Sequence, residues 1–146
     1  MSKKIKKDEL YESAYFNFLK TSNLIEEQVK QALKEHDLTH SQLNVLYILK
    51  ENDPNPVSNS EINQRILVKS PDLTRLLDRL VKKNLVDRQI CPENRRKMNI
   101  KLTEHGKQVF EKANSDAKRS VNNFFENLTE KEAGQLREIM RKVRGD

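Results

Sequence analysis

Three times in this chain a hydroxyl residue is followed, three positions on, by Glu or Gln. Each time an apolar residue stands just before the first and just after the second: Leu38-Thr39 with Gln42-Leu43, Val57-Ser58 with Glu61-Ile62, and Leu128-Thr129 with Glu132-Ala133. In such a box the hydroxyl accepts from the backbone N–H of the third helical residue. That residue's side chain accepts from the cap's own N–H, and the apolar pair closes over the first turn. One box is a weak pattern, but three with the matching pair mark three helix starts and commit the chain to a helical architecture. Ser70 followed by Pro71 predicts a fourth start, because proline at the first helical position lacks only an N–H that would be unpaired anyway.

Between the starts the apolar spacing is helical. Tyr11, Tyr15, Phe18, Ser22, Ile25, Val29 and Ala32 step by four and three, the seam of a long helix that packs along another. Leu43, Leu46 and Tyr47 mark the next helix, Ile62 and Ile66 a short third, and Leu73, Leu76, Leu77 and Leu80 a fourth that Asn84 stops in the left-handed region. The period then changes to near two. "LVDRQI" and "MNIKL" read as strands, with Glu93, Asn94, Arg95, Arg96 and Lys97 in the hairpin between them. Thr103 restarts a helix through Phe110, Ala113, Ala117, Val121 and Phe124, and a last helix carries Ala133, Leu136, Met140 and Val143. The third helix, a short "VKS" turn and the fourth helix form a helix-turn-helix, and the hairpin makes it winged.

A chain of 146 residues supports one domain with a real core. Three glycines and four prolines argue against a turn-rich all-β fold and against disorder, and the longest apolar run, "VLYIL" at 45–49, is far below a membrane span. The N-terminal "MSKKIKKDEL" has no apolar stretch behind its charges, so no signal peptide is read, and the single cysteine fits a reducing cytoplasm. The net charge of +6 is localised. Between Ser58 and Lys101 eleven Lys/Arg face five Asp/Glu, which is the whole excess, and the rest of the chain is neutral. That is the footprint of a polyanion-binding module on a neutral scaffold. A generic solubilising surface would spread the charge more evenly.

On the fourth helix the leucines take one side, so Asp72, Arg75, Arg79 and Lys82 fall near the other. Arginines on an exposed helix whose N-terminus is open suit phosphates and guanine edges in a major groove. Single-stranded binders stack bases on aromatic rings, and from Ile48 to Val109 there is no Phe, Tyr or Trp, which favours a duplex.

"LTHSQLNVLYIL", "VSNSEINQRILVKSPDLTRLLDRLVKKNLVDR" and "NRRKMNIKLTEHG" together resemble the multiple-antibiotic-resistance regulator (MarR) family. The resemblance implies a homodimeric winged-helix transcription factor, usually a repressor, whose first and last helices interlock two subunits. It also implies a small-molecule effector site at the junction of scaffold and lobe. By motif the recognition helix falls at Ser70–Lys83, with Thr74 on it, and the arginine that enters the minor groove falls on Arg96, between Arg95 and Lys97. The sequence departs from the family where aspartate usually precedes that arginine by two. Asn94 stands there and cannot make the ion pair that braces the wing. Asn84 replaces a usual glycine, a milder change because asparagine tolerates the left-handed region.

Other chemistry is thinly represented. Cys91, beside Arg88 and Arg95, reads as a strand-end residue more than a redox site. His36 and His40 are four apart, but Thr39 caps a helix between them, so no metal face forms. Gly106, Gly134 and Gly145 make no phosphate-cradling loop, and no HExxH or GxSxG motif is present. The expectation is therefore a non-enzymatic, mainly α chain with a small β-hairpin wing, a winged helix-turn-helix DNA-binding lobe on a helical dimerisation scaffold. Residues 1–146 form one domain: 1–36 and 104–146 the scaffold, 38–103 the lobe. The expected DNA-binding residues are Ser70, Asp72, Thr74, Arg75, Arg79, Lys82, Lys83, Arg95, Arg96 and Lys97, with 70–83 in the major groove and 92–97 on the minor. The dimer seam is expected at Tyr11, Tyr15, Phe18, Ile25, Val29, Phe124, Leu136 and Met140. The partners are double-stranded DNA, a second copy and a small-molecule effector, with no cofactor, no metal and no membrane. A winged-helix module that binds an acidic protein partner is the alternative from another class.

Overall fold

The structure, a computed structural model, describes residues 6–146. Of the basic N-terminal stretch, residues 1–5 lie outside them. Helix α1 (Lys7–Leu33) runs into a 3-10 turn (Lys34–His36), followed by α2 (His40–Asn52), β1 (Val57–Ser58), α3 (Asn59–Arg65), α4 (Leu73–Lys82), β2 (Val86–Cys91), β3 (Asn94–Leu102), α5 (Glu104–Phe124) and α6 (Glu130–Arg144). Three helix starts follow from their caps. Thr39, Ser58 and Thr129 each accept from the backbone of the residue three on, and Gln42, Glu61 and Glu132 return the bond. The staple residues Leu38, Leu43, Val57 and Ile62 are all buried.

The fourth start differs from expectation. The cap of α4 is Asp72, not Ser70, and its carboxylate accepts the backbone N–H of Arg75 at 3.0 Å. Two start signals lie within three residues, and the ionised cap prevails. Aspartate carries a full negative charge to the positive end of the helix, and its side chain takes up an otherwise unpaired N–H. The N-terminus of α4 is therefore closed by its own residue and not open.

The chain divides into two compact units, one holding the residues up to Val29 with Lys118–Asp146, the other Lys30–Ala117. In the second, α2 buries a wide arc (Leu43, Val45, Leu46, Ile48, Leu49) together with Ile62 of α3, Leu76, Leu77 and Leu80 of α4, and Phe110 and Ala113 of α5. Its sheet has three antiparallel strands in the order β1-β3-β2, one more than the two-stranded hairpin expected. Val57 and Ser58 pair with Ile100 and Asn99, so Ser58 is strand and helix cap at once. In the first unit the large side chains of α1 lie mostly in solvent: Tyr11, Tyr15 and Phe18 are exposed, Ile25 is half-buried and Val29 is buried.

Helix α4 ends in a Schellman motif. Leu85 N–H donates to Leu80 O at 3.0 Å and Asn84 N–H to Val81 O at 2.9 Å, with Asn84 at φ +57°. Leu80 and Leu85, the apolar pair of that motif, are both buried. The start of α5 is built onto the same corner. Thr103 donates its N–H to Leu85 O at 3.1 Å and its hydroxyl to Asn84 O at 2.6 Å. Gly106 follows, so close that a Cβ built on it would overlap the Leu85 carbonyl. Backbone cannot yield as a flexible side chain can. Gly106→Ala is therefore expected to lower the free energy of unfolding by about 1–3 kcal/mol, read as an earlier midpoint in urea with an unchanged slope.

Candidate nucleic-acid interface

With Leu76, Leu77 and Leu80 turned inward, α4 presents Thr74, Arg75, Arg79 and Lys82 as exposed residues. Arg75 leans back on its own cap, Nε to the Asp72 carboxylate at 3.4 Å, but its side chain remains 80% exposed. A pair so solvated costs little to exchange for another anion. Asp72 is part of the helix start, and Ser70 lies before it on the loop. Ser70, Asp72, Arg75 and Arg79 line one side of an open cleft of about 340 Å³, with Thr39, Ser41 and Gln42 at the start of α2 on the other. Lys83 is held within the chain, its ammonium 3.1 Å from the Asp37 carboxylate and bonded to the Asp37 carbonyl. It anchors the end of α4 to the segment ahead of α2.

The wing answers why three cations stand in a row. Ile90 faces Met98, yet Cys91 faces Asn94, so one step along β2 matches four along β3. Arg95, Arg96 and Lys97 are the residues left over, a bulge in the ladder. The turn is Pro92 and Glu93, and β3 already begins at Asn94. The hairpin tip expected over residues 92–97 is thus shorter, and the cations stand on the strand behind it, all three exposed. Strict two-residue alternation does not apply to residues that skip the ladder.

Two further contacts organise this region. Asn94 Oδ1 accepts the backbone N–H of Arg96 at 3.1 Å, a local turn that needs no charge. The neutral side chain that cannot form the family's ion pair thus braces the bulge by another bond. Arg88 of β2 reaches Asp78 of α4 at 2.7 Å and joins wing to helix. At the foot of the wing Glu61 is held below the usual carboxylate range, first by the N–H and hydroxyl of Ser58, then by the charges of Lys97 and Arg65. His36, considered above as half of a metal face, has its Nε2 2.7 Å from Asp116.

Sequence reasoning missed Asn44, whose side chain accepts from the backbone of Leu67 and Val68 in the loop before α4. Nothing in the local pattern marks it. It also missed the pairing of Arg88 with Asp78, although both were counted as charges.

A helix pair, an exposed cationic second helix and a cationic hairpin in this order define a winged helix-turn-helix protein. The profile of the MarR family matches residues 38–98. The chain is similar to the transcriptional regulator SarZ of Staphylococcus epidermidis, 33% identical over 121 residues, 83% of this chain and 79% of that one. It is similar to the transcriptional repressor MdtR of Bacillus subtilis, 32% identical over 119 residues, 82% of this chain and 76% of that one. Its fold is also that of a cysteine-to-serine variant of MarR from E. coli, crystallised with operator DNA: TM-score 0.81 over 95% of this chain and 99% of that one, at 24% identity. The protein belongs to the MarR family and is a DNA-binding transcriptional regulator, not an enzyme.

The Asn94 brace is directly testable. Asn94→Ala is expected to speed amide exchange at Arg96 by about tenfold, the equivalent of one net hydrogen bond. Asn94→Asp keeps the accepting oxygen and is expected to leave that amide protected.

Proposed function

We propose that the protein acts as a homodimer on a pseudo-palindromic operator, represses transcription there, and is released by a small-molecule effector. In this reading α4 of each subunit enters a major groove, and the Arg95–Lys97 bulge lies on the adjacent minor groove with Arg96 inserted. The observation that carries it is the division of α4 into a buried leucine face and an exposed face with Thr74, Arg75, Arg79 and Lys82. The repressor outcome is supported by relatives named as repressors, MdtR of Bacillus subtilis and IacR of Pseudomonas putida. Effector release rests on the family resemblance.

Dimerisation is supported by α1. Leu10, Tyr11, Tyr15, Phe16, Phe18 and Leu24 are each at least half exposed. Burying the exposed part of such side chains contributes on the order of 1 kcal/mol each, and a monomer forgoes all of it. Ile139 and Val143 extend the same pattern on α6, where Leu136 and Met140 are half-buried, as is Phe124 at the end of α5. Because Tyr15 and Phe18 stand in solvent, Tyr15→Glu combined with Phe18→Glu is expected to yield a folded monomer in sedimentation equilibrium. A dimer that survives both charges removes this seam from the proposal.

Selection of bound sequences from random duplex tests the function as a whole. It should return two related half-sites about 34 Å apart, one helical turn centre to centre. Affinity should fall steeply with salt as phosphate contacts release counterions. Arg75→Ala is expected to cost about 1–3 kcal/mol and relax preference at one position per half-site. Lys83→Ala, which removes a residue tied to Asp37, should shift all sequences alike. Full affinity for a single half-site, or a flat salt response, would overturn the reading.

A further inference from the structure

The loop at residues 66–72 must turn the chain from α3 and deliver Asp72, the cap of α4. The backbone N–H groups of Leu67 and Val68 both donate to one atom, Oδ1 of Asn44 on α2, at 2.7 and 3.0 Å. Since both partners are donors, the receiving atom is the amide oxygen and the orientation of the Asn44 side chain follows from the chemistry. Among the described residues, the next backbone N–H groups along the chain with a bond are those of Arg75, to the Asp72 carboxylate, and Leu76, to Asp72 O, both already at the start of α4. Packing holds the loop at Ile66, which is buried, and in part at Val68, but not at its tip, where Leu67 is 87% exposed.

We propose that Asn44 is a positioning residue for base recognition, a role that rests on the duplex-binding reading above. It acts through the loop: by clasping Leu67 and Val68 it sets where the first turn of α4 begins, and Thr74 and Arg75 stand on that turn. A hydrogen bond to a base edge fails when its donor is displaced by about 1 Å, since the useful range of distances is no wider. Phosphate contacts from long, exposed side chains follow such a shift. Loss of the clasp therefore removes selectivity while sparing non-specific affinity.

The test uses the full-length protein. It measures the ratio of affinities for the duplex selected from a random pool and a scrambled duplex of equal length and composition. Asn44→Ala is expected to reduce that ratio by about tenfold while scrambled-duplex affinity stays within about twofold. Asn44→Asp retains an accepting oxygen and should keep the ratio, although its charge weakens binding to both duplexes. An unchanged ratio in Asn44→Ala, or an equal loss in Asn44→Asp, overturns the proposal. Amide exchange in the unmodified protein provides a reading that needs no variant: Leu67 and Val68 should exchange slowly although their loop is at the surface, and fast exchange there also overturns it. A protein with slow exchange at both amides but no duplex preference would instead defeat the reading on which the proposal rests.

Discussion

The winged helix-turn-helix unit depends on a corner two residues long. Asn84 adopts the left-handed conformation that ends α4, and Leu85 returns the chain under it. The carbonyls of both residues then receive Thr103, whose hydroxyl in turn accepts the N–H of Gly106 at 2.8 Å. The end of one helix, the start of a strand and the start of another helix are thus joined in a single hydrogen-bonded knot. Its donors and acceptors are mostly backbone, so its geometry leaves little freedom. Where α4 ends fixes where the wing begins.

Charge in this lobe is used in two different ways. Arg65, Lys83 and Arg88 are each committed to a carboxylate of the same chain, Glu51, Asp37 and Asp78. These pairs join α3 to α2, the end of α4 to the segment before α2, and the wing to α4. Arg79, Lys82 and the three bulge residues stand in solvent instead, as does Arg75, whose pair with its own cap Asp72 leaves it 80% exposed. A local surplus of positive charge is therefore not a uniform attractive surface. Part of it ties the elements together, and most of the rest stands on the exposed side of α4 and on the bulge, with Lys69 and Lys101 outside both.

Much of this was legible from sequence because it is written in local chemistry. Capping boxes act over three residues, and the left-handed stop at Asn84 needs only its own side chain. The misread features depend on partners elsewhere. Ser70-Pro71 and Asp72 are both valid start signals, and only the folded chain shows which N–H is left to be capped. Strand β1 exists because β3 is beside it, and the bulge at residues 95–97 exists only relative to β2. Asn44 acts on residues 23 and 24 positions away, beyond any helical or strand period. Gly106 reads as an ordinary helical residue until the Leu85 carbonyl is seen against it.

The bulge has a consequence for the protein before it meets any partner. β1 covers β3 only at Asn99 and Ile100, so the stretch from Asn94 to Met98 has an uncovered edge on that side. An open strand edge is a template on which another chain can add, the first step toward aggregation. Here Arg95, Arg96 and Lys97, the middle three of those five residues, have left the ladder with β2, and all three carry positive charge. A second copy approaching in the same way would meet unpaired geometry and like-charge repulsion. Charge on an open edge disfavours that pairing, so the same three cations that are proposed to hold DNA also make the wing a poor template for a second copy.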